Sequence, residues 1–166
     1  SITHPDMHFS FPFPSDKAKK SSDLMVEWRA VLTEKPYVNL PDWMSALGAE
    51  KKQANFPIAE CREIIRSLSL KPFESEYKFL VLWLPEYLGN EGNVLLKIIE
   101  EPPHNTIFLL VAENEEKILG TILSRTQSVK VPPLLVSELT EFLIKSNELT
   151  EDEATRVAHI SHGDFN

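Results

Sequence analysis

Few side chains in this sequence have a type and spacing that could do chemistry. Arg125, directly after Ser124, is a planar guanidinium that stays charged at every physiological pH, suited to neutralising an anion or pairing with a carboxylate. Taken alone it reads as a solvated or ion-paired arginine at a helix end. His159, His162 and Asp164 offer donor atoms of the metal-binding kind. Histidines near a helix C-terminus are better explained by the helix dipole, which favours cations there. Cys61 is the sole cysteine, so neither an internal disulfide nor a cysteine-built zinc site can form within the chain. No Gly-x-x-x-x-Gly-Lys-Ser/Thr stretch occurs, which leaves no such loop to cradle phosphates on backbone N–H groups. The formal charge of −8 argues against a nucleic-acid surface spread over the chain, because such surfaces work by clustered Lys and Arg releasing counterions from phosphates.

A chain of 166 residues, 42% hydrophobic, can bury the core of one ordinary domain and begin a second. Apolar runs such as Phe79 to Leu84 are far shorter than the roughly 20 residues of a membrane-spanning helix. The lone cysteine suits a reducing compartment, and the cytoplasm is the expected location. No basic, apolar leader opens the chain, and its abrupt start, with His4-Pro5-Asp6 close behind Ser1, is expected to reflect a piece of a longer protein.

The elements follow from periodicity. His8 to Phe13, with Phe at alternate positions, predicts a short strand ended by Pro14. Ser15 to Leu32 predicts a helix with Leu24, Trp28, Val31 and Leu32 on one face, and a loop with a short helix near Trp43 follows. Ile58, Cys61, Ile64, Ile65 and Leu68 recur at steps of three and four, the mark of a helix packed on a core. Tyr77 to Leu84 and Thr106 to Ala112 read as strands buried on both faces. Between them, Asn93 to Glu101 reads as a helix with Val94, Leu95, Ile98 and Ile99 inward, stopped by Pro102-Pro103. A short helix over Ile118 to Leu123 and a last strand near Val129 complete an alternation that implies a parallel sheet with helices on both sides. After Pro132-Pro133, Leu135, Leu139, Phe142 and Leu143 mark one helix, a stripe for core or inter-subunit packing. Thr150 with Glu153 forms a capping box for another. The expected division is a first domain over residues 1–131 and the start of a helical one over 132–166.

Three stretches, in order, carry a resemblance: Lys78-Phe79-Leu80-Val81-Leu82, then Leu95-Leu96-Lys97 with Glu100-Glu101-Pro102-Pro103, then Thr121-Ile122-Leu123-Ser124-Arg125. Together they resemble the AAA+ subunits of the bacterial DNA polymerase III clamp loader, delta-prime type, in which a strand end, an LLK…EEPP helix and an ILSR segment succeed one another. The likeness is close over residues 77–131. The opening His4-Pro5-Asp6 with His8-Phe9 is similar to the family segment that follows a zinc-binding module.

The resemblance implies an α/β fold: an incomplete P-loop NTPase (AAA+) three-layer parallel sheet lacking its first strand, followed by the start of a helical lid domain. Active members deliver two carboxylates after the strand, an Asp for magnesium and a Glu to polarise water. Trp83 and Leu84 stand there instead, which implies a degenerate site and the delta-prime rather than the gamma/tau type. Glu86 lies two residues further on, past a turn expected at Pro85. Glu113 and Asn114 fall at the family's sensor position and are read as loop residues. Ser124 and Arg125 fall on the pair that reaches the γ-phosphate bound by a neighbouring subunit, an arginine finger supplied in trans. Thr126 departs from the family's cysteine.

The implied partners are gamma/tau and delta subunits, with primer-template DNA and the sliding clamp met only indirectly and no membrane. No cofactor is expected in this stretch; zinc would sit upstream of it, and ATP and magnesium in partner subunits. The missing first strand, expected between Thr106 to Ala112 and the strand near Val129, implies an unpaired edge and self-association. Two alternatives stay open: an ATP-hydrolysing gamma/tau-type subunit with motor residues outside this sequence, and an unrelated protein-binding α/β module. Carboxylates at 83 and 84 would mark the first, and failure to recover clamp-loader partners the second.

Overall fold

In the computed structural model, which describes residues 3–35, 37–147 and 149–161, three parallel strands form one sheet in the order β1-β2-β3. They are β1 (Met7–Ser10), β2 (Lys78–Trp83) and β3 (Thr106–Val111). Helices α1 (Met25–Glu34), α2 (Leu40–Ala46) and α3 (Ile58–Ser69) lie between the first two strands, and α4 (Leu96–Glu100) between the second and third. After β3 come α5 (Gly120–Leu123), α6 (Val136–Asn147) and α7 (Glu151–Ile160). Parallel strands need crossovers long enough to return the chain, and these helices supply them.

Side chains alternate along a strand, so Leu80 and Leu82 of β2 face one side and Phe79, Val81 and Trp83 the other. Leu80 and Leu82 are fully buried in a core with Cys61, Ile64 and Leu68 of α3, Ile98 and Ile99 of α4 and Ile122 of α5. The opposite core is aromatic, built on Phe11, Phe13, Trp28 and Trp43 with Phe9 and Trp83 packed against it. Phe11 stacks on Trp28 at a centroid distance of 4.3 Å, and Trp43 meets Phe11 edge-on at 5.0 Å. The Trp43 Nε1–H donates to the Pro12 carbonyl at 2.8 Å, so this indole is buried without loss of a hydrogen bond.

Among the described residues, Asp6, Glu60 and Lys78 are charged and buried, each 3% exposed, and each is held by hydrogen bonds as burial demands. Asp6 accepts from the backbone N–H groups of Phe73 (2.5 Å), Glu74 (2.9 Å) and Ser75 (2.8 Å), tying the start of the chain to the loop before β2. Those amides, Glu74 and Phe73 first, hold its carboxyl down at about 2. Glu60 of α3 accepts from the Ser10 hydroxyl at 2.5 Å and the Ser21 N–H at 2.7 Å, and desolvation pushes its carboxyl up. Lys78 donates through Nζ to the carbonyls of Leu68 and Leu70, closing the C-terminus of α3, where a cation is favoured.

Several expectations need correction. Thr106 to Ala112 is not buried on both faces: Phe108 and Leu110 pack against the first core, while Ile107, Leu109 and Val111 are exposed, because among the described residues no helix covers that face of β3. No strand forms near Val129. Residues 127–135 carry no regular structure, and Val129 and Val131 stand in solvent, since a strand exists only with a partner to pair with. The first helix starts at Met25, after a 3-10 turn over Ser21–Leu24, rather than at Ser15. Val94 points outward from a 3-10 stretch over Gly89–Leu95, whose tighter winding spoils a register counted at 3.6 residues per turn. Of the stripe Leu135, Leu139, Phe142 and Leu143, only Leu139 is fully buried; Leu135 precedes α6 and is exposed. Ala154 and Ala158 of α7 are buried as well, where α6 and α7 pack together. The Thr150–Glu153 capping box forms as expected.

Candidate functional site

β2 delivers Trp83 and Leu84 to its C-terminal end, where parallel α/β sheets place their chemistry. Trp83 lies half-buried against Trp28, ring centroids 5.0 Å apart. Leu84 is 0% exposed; its N–H donates to the Val111 carbonyl at 2.8 Å, extending the β2–β3 pairing by one step. Its backbone is left-handed, with φ 55°, a conformation costly to a branched residue. Buried Pro85 then opens a 3-10 turn over Pro85–Tyr87. The chain therefore turns at 84 and 85, as expected from the proline. An indole and an isobutyl group, both packed into core, can neither organise a hydrated cation nor take a proton from water.

The same turn gives Glu86 a different task. Its Oε1 accepts from the backbone N–H groups of Glu113 (3.0 Å) and Asn114 (3.1 Å), so a carboxylate just past the end of β2 fastens the loop leaving β3. Asn114 in turn accepts through its side chain from the Glu116 N–H at 3.1 Å, starting a 3-10 turn over Glu115–Lys117. Glu113 and Asn114 are thus brought to Glu86 as loop residues, and the three form a backbone clamp.

Arg125 follows the last turn of α5 at the protein surface. Its Nε donates to Glu100 Oε2 at 3.0 Å, and its Nη1 to the Thr121 carbonyl at 2.9 Å and Ser124 Oγ at 3.3 Å. Ser124 Oγ donates back to the Thr121 carbonyl at 3.1 Å. The side chains of Arg125 and Glu100 are 31% and 56% exposed, so the pair lies at the surface. Among the described residues Nη2 donates to nothing. Thr126 turns inward, its hydroxyl donating to the carbonyls of Ile122 and Leu123 at 3.3 and 3.2 Å.

Sequence reasoning missed Glu100 as the partner of Arg125 and Glu86 as a loop clamp. Glu100 lies 25 residues from Arg125 and Glu86 lies 27 and 28 residues from its donors, distances at which periodicity carries no signal. His159 lies in the last turn of α7, the position the dipole favours, while His162 and Asp164 lie outside the described residues. Among the described residues no cluster of His, Cys, Asp or Glu could hold a metal ion.

A family model described as "DNA polymerase III, delta subunit" matches residues 28–135. The DNA polymerase III subunit gamma of Buchnera aphidicola subsp. Acyrthosiphon pisum is 30% identical over 112 residues, covering 64% of this chain and 31% of that protein. The DNA polymerase III subunit delta' of Yersinia pestis is 37% identical over 90 residues, 52% of this chain and 26% of that protein. The subunit delta' of Bacillus subtilis is 29% identical over 90 residues, covering 54% and 27%. The matches span less than a third of these relatives' length. A crystal structure of a DNA polymerase III, gamma subunit-related protein from Thermotoga maritima aligns with a TM-score of 0.46 at 25% identity, over 62% of this chain and 39% of that one.

Proposed function

The chain belongs to the DNA polymerase III delta subunit family, and on that premise we propose that it acts in DNA replication as a clamp-loader subunit that hydrolyses no ATP itself and presents Arg125 to the nucleotide of a neighbouring subunit. The observation that carries the first half is Leu84, fully buried where a motor subunit keeps an acid. For the second half the support is Arg125, held at the surface with one nitrogen uncommitted among the described residues. A guanidinium placed beside a transferring phosphoryl group offsets the charge that builds on its oxygens, and its planar fork fits two of them. Ser124 and Thr121 hold its base. In this reading gamma/tau and delta subunits are the partners, ATP and magnesium belong to the partner sites, zinc to a region upstream of this stretch, and DNA and the sliding clamp are met indirectly. A cytoplasmic location is part of the same proposal; among the described residues no helix is long and apolar enough to cross a membrane.

The alternative is a gamma/tau-type subunit, since identity does not separate the types, 30% to a gamma relative against 29% and 37% to two delta' proteins. The deciding experiment assembles the complex with its partners and measures DNA- and clamp-stimulated ATP hydrolysis before and after Arg125→Ala. Turnover at the site served by Arg125 is expected to fall about a thousandfold or more, so the total drops by that site's share with assembly intact. Unchanged turnover, or ATP hydrolysis by this chain alone, sinks the reading.

A second part of the proposal concerns the sheet edge. β3 pairs with β2 on one side only, and its outer edge offers backbone groups to another strand. The isolated chain is expected to self-associate as concentration rises, checked by light scattering; a strict monomer at high concentration counts against it.

A further inference from the structure

We infer that Glu100 is a positioning residue for Arg125, fixing the guanidinium so that Nη2 faces an incoming anion; this rests on the reading of Arg125 just given and adds the group that aims it. Two elements grip the guanidinium. From α4, the Glu100 carboxylate accepts from Nε at 3.0 Å, while from α5 and the residue after it the Thr121 carbonyl and Ser124 Oγ take Nη1 at 2.9 and 3.3 Å. A guanidinium is rigid and planar, so securing two of its nitrogens sets the plane and therefore the direction of the third. Both supports are themselves anchored, since Ile98 and Ile99 of α4 and Ile122 of α5 share one core. Nη2, with no acceptor among the described residues, keeps two N–H donors for oxygens that arrive from outside.

The exposure of the pair decides what Glu100 is for. With side chains 31% and 56% exposed, an ion pair of this kind adds little to folding stability. Its remaining effect is on orientation: a long side chain that would sample many rotamers is held in one, and that ordering is complete before the anion arrives. The paired prolines that follow Glu101 stop α4 at Glu100, which places the carboxylate at the helix end beside α5 instead of carrying it onward.

The test uses four versions of the assembled complex: native, Glu100→Ala, Arg125→Ala and the double variant, with kcat and KM for DNA-stimulated ATP hydrolysis read for each. Glu100→Ala is expected to lower kcat at the site Arg125 serves by roughly threefold to tenfold, the cost of a catalytic group left loosely aimed, with KM little changed. Glu100→Gln, which keeps an acceptor oxygen, should recover part of that loss. In the Arg125→Ala background Glu100→Ala should cause no further loss, because a residue acting through another has nothing left to aim. Additive losses, or a Glu100→Ala complex as fast as or faster than the native one, overturn the inference. A full loss in Arg125→Ala beside an unaffected Glu100→Ala sinks the positioning role alone, whereas an unaffected Arg125→Ala removes the reading beneath it and the inference with it.

Discussion

The end of β2 and the corner at Arg125 are built on opposite principles. At the end of β2 the side chains are packed inward: Trp83 lies on Trp28, Leu84 is sealed, and Glu86 spends Oε1 on the loop after β3 while its buried Oε2 has no hydrogen-bond partner among the described residues. At the corner, polar groups lie at the surface and a guanidinium keeps donors in reserve. The contrast teaches that what a strand end can do is a matter of packing as well as of residue type. With Leu84 in the core, a carboxylate cannot simply be placed there. Leu84→Glu is therefore expected to destabilise the fold by about 4 kcal/mol, the cost of burying a carboxyl without a partner, read as a lowered denaturant midpoint, and to bring no ATP turnover. A Leu84→Glu chain as stable as the native one would break the comparison, since the position would then be open to chemistry after all.

Acid gives a sharper probe of the committed body, through two buried carboxylates shifted in opposite directions. The amides of Glu74 and Phe73 hold Asp6 down at about 2 from an ordinary 3.8, so its contribution to stability is present above about 4 and is lost as pH falls through 2. Desolvation raises Glu60 above its ordinary 4.5, so the sign reverses: its contribution is present below 4.5 and is lost as pH rises through the folded value. Asp6→Asn should therefore flatten the acid limb of a stability-against-pH curve, and Glu60→Gln the limb above 4.5. Both curves running parallel to the native one would mean that neither group is held as described.

Much of this was legible in the sequence, and the part that was not has a common cause. β2 and α3 declare themselves because an unbroken apolar run and a three-and-four spacing are local signals, and the turn after Leu84 could be read from Pro85. β3 misleads because its uncovered face carries Ile107, Leu109 and Val111; an exposed apolar residue and a buried one are the same letter. Val129 and Val131 look like strand for the same reason, yet have no neighbouring strand. The remaining failures are pairings across long stretches of chain: Asp6 with donors 67 to 69 residues away, Glu60 with Ser10 at 50, Arg125 with Glu100 at 25. No spacing rule reaches across such distances, and charged residues are ordinarily taken for surface.

The smallest effect is expected beside Arg125. Thr126 stands where the clamp-loader pattern has cysteine, next to Arg125, and its hydroxyl folds back onto the carbonyls of Ile122 and Leu123 at 3.3 and 3.2 Å. A thiol is close in size, donates weakly and leaves those carbonyls to water or to their helical partners. Thr126→Cys should thus change stability by less than about 0.5 kcal/mol and leave ATP turnover in the assembled complex unaltered. The two readouts separate the possibilities: a stability change alone would mean that the hydroxyl matters to the end of α5, while a clear change in kcat at unchanged stability would mean that the open corner extends one residue beyond its guanidinium, and that the line between committed and available groups runs through Thr126 rather than before it.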